Sequence, residues 1–129
     1  MKLRFLGKET KDGGSPTLFD TDRTTYLVQG WKVTDPEILA QLDLGSEESC
    51  VEVPSRLMSH LAKSELTDTE GAELPVVIRT DRETYVIKGS TVTDAEALAQ
   101  MTVPDHETVV EVSAALRIAM KEEYAIADA

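Results

Sequence analysis

Runs of β-branched and aromatic residues give way to helix-start signals at two places in the chain, in the same order each time. The first run is TYLVQ at 25–29 and the second is TYVIK at 84–88. Both have the composition of a packed, pleated strand. A glycine closes each (Gly30, Gly89), and a short extended piece, WKV or STV, continues past the bend. Upstream lies another extended run opened by proline, PTLFD at 16–20 or PVVIR at 75–79. Thr-Asp-Arg joins the two runs, with Asp22 or Asp81 suited to a tight turn. Downstream the period changes. Val-Thr-Asp-Pro-Glu and Val-Thr-Asp-Ala-Glu predict helix starts: Thr34 or Asp35 can cap, Pro36 suits the first turn, and Glu37 favours the positive helix end. A short helix (ILAQL or ALAQM), a polar loop and a third extended segment (SCVEV or TVVEV) follow. A second helix closes each copy, PSRLMSHLAK with Pro54 at its start, or SAALRIAMKEEYA with Ser113 as cap. Leu57 and Leu61 share a face of the first, and Leu116, Met120 and Tyr124 a face of the second.

The two copies align without a gap at an offset of 59 residues, and 18 of 38 positions are identical between 21–58 and 80–117. A long period present twice points to a duplicated domain, since a solenoid needs more and shorter units. The predicted fold is α+β, a tandem duplication of a ββ(β)αβα unit packed as one pseudo-two-fold domain. A unit of roughly 50 residues is marginal alone, so the two must bury surface against each other. Residues 1–64 form the first repeat with an extra N-terminal strand, KLRFL. Residues 65–73, within the polar SELTDTEGAEL, are the linker, and 74–129 are the second repeat.

Composition narrows the function classes. Aromatics are only 5% against 41% apolar residues, so the core is built of Val, Leu, Ile, Ala and Met. A formal charge of −11 opposes direct binding to nucleic acid or an anionic membrane and fits a basic protein partner. The acidity is uneven: residues 1–66 hold 11 acids and 8 bases, leaving 13 acids and 5 bases for 67–129. Nucleic-acid mimicry ranks low, because the acids are dispersed and mixed with bases. The N-terminus lacks an apolar run of signal-peptide length and no later run approaches a membrane span, which predicts a cytoplasmic protein. Cys50 is the single cysteine and aligns with Val109, so it is expected to be a small buried hydrophobe.

No catalytic constellation is visible, and no cofactor or metal is expected. Asp22 with Arg23, and Asp81 with Arg82, read as hairpin turns carrying solvated ion pairs. Asp35 and Asp94 read as caps. Tyr26 and Tyr85 read as core residues with the hydroxyl at the rim. His60 and His106 have no counterpart in the other copy, and no H-x-x-x-H or C-x-x-C spacing marks a zinc site. The feature left over is Trp31, the only tryptophan, whose counterpart is Ser90. It either covers Leu3 and Phe5 of the N-terminal strand or stands at the surface as an aromatic anchor.

The phrase PTLFDTDRTTYLVQGWKVTDPEILAQLDL, followed by VEVPSRLM, resembles small acidic actinobacterial proteins with a TDR-x-TY-x-VQGW-x-VTDPE-x-L signature. The likeness covers 16–58, and 75–117 is a divergent second copy without the QGW part. It implies a bacterial cytoplasmic setting, no assigned activity and no catalytic residues to carry over. The expected function is a non-enzymatic binding or regulatory protein that docks a partner protein at Trp31, with Lys32 and Gln29 beside it. The alternative is a small enzyme or ligand-binding domain with a pocket at the seam of the repeats, lined by Tyr26, Tyr85, Arg23 and Arg82.

Overall fold

A computed structural model describes residues 1–9, 16–66 and 74–120. The chain is mixed α+β, dominated by an antiparallel sheet of seven strands. In chain order these are β1 (Leu3–Lys8), β2 (Thr17–Thr21), β3 (Thr25–Lys32), β4 (Glu48–Pro54), β5 (Val77–Arg79), β6 (Thr84–Thr91) and β7 (Glu107–Ser113). Helix α1 (Pro36–Leu42) joins β3 to β4, and α2 (Ala95–Ala99) joins β6 to β7. Both are capped as expected: Asp35 accepts the amide of Glu37 at 2.9 Å, and Asp94 accepts those of Glu96 at 2.9 Å and Ala97 at 3.2 Å.

Pairing is not confined to chain neighbours. β3 pairs with β7 from Thr25↔Ser113 to Trp31↔Glu107, along the whole of β7, and β4 pairs with β6 from Glu48↔Ser90 to Pro54↔Thr84. Two short contacts, Trp31↔Glu52 with Lys32↔Val51 and Ser90↔Glu111 with Thr91↔Val110, complete a closed circuit β3–β4–β6–β7. On the outside β2 and β1 extend from β3, and β5 extends from β6. The interior is filled by Tyr26, Val28, Val51 and Val53 from β3 and β4 and by Tyr85, Ile87, Val110 and Val112 from β6 and β7. Each residue of the first set is 59 positions from one of the second. Burying one such aliphatic side chain contributes roughly 1.5–3 kcal/mol, so this interior dominates the stability. The helices cover the outer face: Ile38 and Leu42 of α1 pack on Cys50 and Val86, and Ala97 of α2 packs with Leu27 and Val109.

Three expectations need correction. The extended pieces after the glycines are not separate strands, because β3 runs through Gly30 and β6 through Gly89. A Cβ on Gly30 would stand 2.6 Å from the carbonyl oxygen of Glu52, and one on Gly89 would stand 2.6 Å from that of Glu111. These glycines therefore admit the neighbouring backbone without ending the strand. The helix expected from Pro54 is a 3₁₀ helix, Ser55–Lys63, with Leu57, Met58 and Leu61 buried, and Pro54 itself ends β4. Trp31 does not cover Leu3 and Phe5: Leu3 packs against the cluster of Leu27, Ala97 and Val109, and Phe5 stands 60% exposed, edge-on to Phe19.

The second closing helix is described over 116–120, with Leu116 and Met120 buried and Ser113 Oγ accepting the amide of Ala115. Tyr124 and most of the linker, 67–73, lie outside the described residues. Among the described residues no helix is long and apolar enough to cross a membrane.

Candidate functional site

The Thr-Asp-Arg turns organise the polar surface. Each reverses the chain through a left-handed residue, Thr24 at φ 61° and Glu83 at φ 60°. In each a threonine hydroxyl accepts the arginine amide at 3.1 Å, Thr21 from Arg23 and Thr80 from Arg82. That hydroxyl meets a second one across the turn, Thr21 with Thr25 at 2.7 Å and Thr80 with Thr84 at 2.5 Å. The second hydroxyl donates to a glutamate on the partner strand of the circuit: Thr84 to Glu52 at 2.6 Å and Thr25 to Glu111 at 2.7 Å. The turn arginine reaches the same glutamate. Arg82 closes on Glu52 with Nε at 3.3 Å and Nη2 at 3.0 Å, whereas Arg23 stands 3.8 Å from Glu111. The repeated TDR-x-T and VEV phrases are therefore two halves of one latch, each turn fastened to the glutamate of the other copy. The expected pairing of each arginine with its neighbouring aspartate is secondary, at 3.9 Å for Arg82 with Asp81. Glu52 pushes the Arg82 guanidinium above its ordinary value, mainly through these hydrogen bonds.

Beside the second turn the surface opens into a cleft of about 480 Å³. Trp31 from the end of β3 forms one wall. Pro54, Ser55 and Arg56 come from the junction of β4 with the 3₁₀ helix, Arg79 from the end of β5, and Arg82 to Tyr85 from the turn and start of β6. The amide of Ser55 donates to the carbonyl of Glu83 at 3.0 Å and ties the helix start to the turn. Trp31 is half-buried, and Arg56, Arg79 and Arg82 are exposed. Arg56 Nε faces Glu9 at 3.3 Å. Arg79 has no ion-pair partner among the described residues.

The residues singled out from sequence separate into groups. Trp31, Arg82 and Tyr85 line this one cleft. Lys32 is exposed, and its amide donates to the carbonyl of His106. Gln29 is withdrawn from the surface: it is 2% exposed and its amide nitrogen donates to Glu107 at 2.8 Å and to the carbonyl of Thr102 at 2.7 Å. The four residues expected at a seam pocket are divided among different surroundings. Tyr26 and Tyr85 pack in the same core cluster, 0% and 2% exposed, because β3 and β6 both turn that face into the closed circuit. Arg23 lines a separate polar depression with Asp94 and Glu111. His60 contacts Glu9 and Lys63, and exposed His106 contacts Glu107.

Sequence reasoning missed Arg56 and Arg79. The signal was available, since both break the repeat as Trp31 does: their counterparts are Ala115 and Asp20, as that of Trp31 is Ser90. No family model matches the chain, and neither does any curated protein or solved structure.

Proposed function

We propose that the protein is a non-enzymatic binding module that docks another protein in the Trp31 cleft. One observation carries this reading. Trp31, Arg56 and Arg79 are far apart in sequence, each departs from its counterpart in the other copy, and the three converge on a single cleft. At the corresponding end of the molecule stand Ser90, Ala115 and Asp20, of which the last two are buried. This end therefore presents an indole and two exposed arginines where the other end buries two of its three residues. A half-buried indole beside arginines has the residue chemistry of an interface anchor. The bacterial cytoplasmic setting belongs to this same reading.

The proposed scaffold is a tandem duplication with an approximate two-fold relation. In its support, β3 and β6, β4 and β7, the two caps, the two left-handed turn residues and the two glutamate latches all correspond at the offset of 59.

Trp31→Ala tests the docking. The indole is half-buried at a cleft wall, so the variant should stay folded, with a loss of about 1–2 kcal/mol of stability, while binding falls by on the order of 2 kcal/mol or more. Immobilised wild-type and variant proteins are exposed to extract of the native cell. Partners retained only by the wild type, and then shown with purified components to bind with the expected loss, support the reading. A variant that retains every partner at unchanged affinity, or that unfolds, removes Trp31 as an anchor.

A further inference from the structure

We infer that the Trp31 cleft receives an acidic side chain of the partner, its carboxylate held by Arg79 and its stem laid against the indole. The inference rests on the docking reading above and gives the cleft its chemistry. The chain carries 24 acidic residues against 13 basic ones, yet the residues lining this cleft include three arginines and only one acid, Glu83.

The arginines are not equivalent. Arg82 is committed to Glu52 through Nε and Nη2, and Asp81 lies near its remaining nitrogen. Arg56 spends Nε on Glu9. Arg79 ends β5 as an exposed residue with no ion-pair partner among the described residues. Its planar fork matches a carboxylate in two parallel hydrogen bonds, the strongest polar contact available to it. At the other end of the molecule the corresponding residue is Asp20, 6% exposed, which accepts from Ser64 at 3.2 Å and faces Arg4 at 3.9 Å. The charge is thus opposite at the two equivalent positions, and only the end with Trp31 has the anion-seeking sign. The volume of about 480 Å³ lies in the range of sites that enclose a small group, roughly 300–1,000 Å³.

Trp31 is the only tryptophan, so its emission reports on the cleft directly. The full chain is titrated with a capped hexaglutamate peptide, with the all-glutamine peptide of the same length, and with citrate. Hexaglutamate should bind at least tenfold more tightly than its glutamine counterpart. Arg79→Ala should weaken it tenfold or more, and Arg79→Lys should recover part of the loss, with circular dichroism unchanged in both variants. Equal binding of the two peptides, no response to either, or unchanged affinity in Arg79→Ala overturns the inference. Citrate binding without peptide binding also overturns it, since the anion would then be a free metabolite. The two readings fail separately. A protein partner lost by Trp31→Ala but kept by Arg79→Ala leaves docking and removes the carboxylate. Arg79-dependent hexaglutamate binding, with every protein partner kept by Trp31→Ala, does the reverse.

Discussion

Adding one methyl group to Gly30 or Gly89 should open the strand circuit at its shortest pairing. The Cβ of Gly30→Ala would sit 2.6 Å from the carbonyl oxygen of Glu52 and 2.6 Å from Val53 Cγ1. Both neighbours belong to β4, and the oxygen is backbone, so no rotamer change relieves the contact. The strands must separate where they share only Trp31↔Glu52 and Lys32↔Val51. Overpacking costs about 1–3 kcal/mol, and each backbone hydrogen bond lost adds about 1 kcal/mol. The expected loss is therefore about 2–4 kcal/mol. Gly89→Ala meets the carbonyl oxygen of Glu111 at 2.6 Å and Val112 Cγ1 at 2.8 Å, and should cost the same within about 1 kcal/mol. Gly45→Ala is the control: its Cβ would approach only the flexible end of Glu48, at 3.0 Å, so a few tenths of a kcal/mol at most are expected. Urea unfolding followed by Trp31 emission and by far-ultraviolet circular dichroism measures all three. If Gly30→Ala and Gly89→Ala unfold with the midpoint of Gly45→Ala, the close approach is not structural and the reasoning fails. If only one of the two is damaged, their equivalence is lost.

The glutamate latches predict an ordered pair of effects. Glu52→Gln weakens the Thr84 hydrogen bond from a charged to a neutral acceptor, worth about 1 kcal/mol, and loses in addition a smaller, solvent-screened share from the Arg82 fork. Glu111→Gln should cost less, because Arg23 stands farther away, and a larger loss at Glu111 would contradict the assignment. Cys50 predicts an alkaline effect. Burial pushes its thiol above the ordinary value, so the folded state prefers the neutral form. Its stabilising contribution is complete below the ordinary thiol range, near about 8.5, and is lost as the pH rises through the folded value. Cys50→Val, which installs the residue found at position 109, should flatten the fall in urea midpoint between about pH 8 and pH 10. An unchanged fall in the variant would rule Cys50 out as its source.

Much of the fold is legible along the chain because local chemistry and tertiary packing agree. Caps at Asp35 and Asp94, the turns at Asp22 and Asp81, and the buried tyrosines all follow from residue type and neighbours. Strand partners are less legible. The pairing of β3 with β7 and β4 with β6 joins residues whose sequence separation gives no periodic trace. The glycines misled for a related reason: a glycine admitting a neighbouring backbone looks, in one dimension, like a glycine making a bend. Gln29 misled because the surface assignment followed its neighbour Trp31, while its own amide satisfies buried Glu107. The cleft was half legible. Trp31 was visible as a departure from the repeat, but Arg56 and Arg79 needed the fold to show that they meet it.

A carboxylate-binding cleft on a chain of net charge −11 has a kinetic consequence that distinguishes it from ordinary electrostatic docking. At 0.15 M ionic strength the screening length is about 8 Å, so an approaching acidic peptide first meets the repulsive field of the whole chain. Only inside that distance does Arg79 dominate. Added salt weakens both terms, but at different stages. It should speed association by screening the distant repulsion, and it should speed dissociation by weakening the seated ion pair. The two rate constants then rise together, and the equilibrium constant changes far less than either. Stopped-flow measurement of Trp31 emission with hexaglutamate, between about 0.02 and 0.3 M salt, reads both constants. An association rate that instead falls steeply with salt would mean that a positive field already reaches into solvent, and the arginines would then be steering groups for an anionic surface.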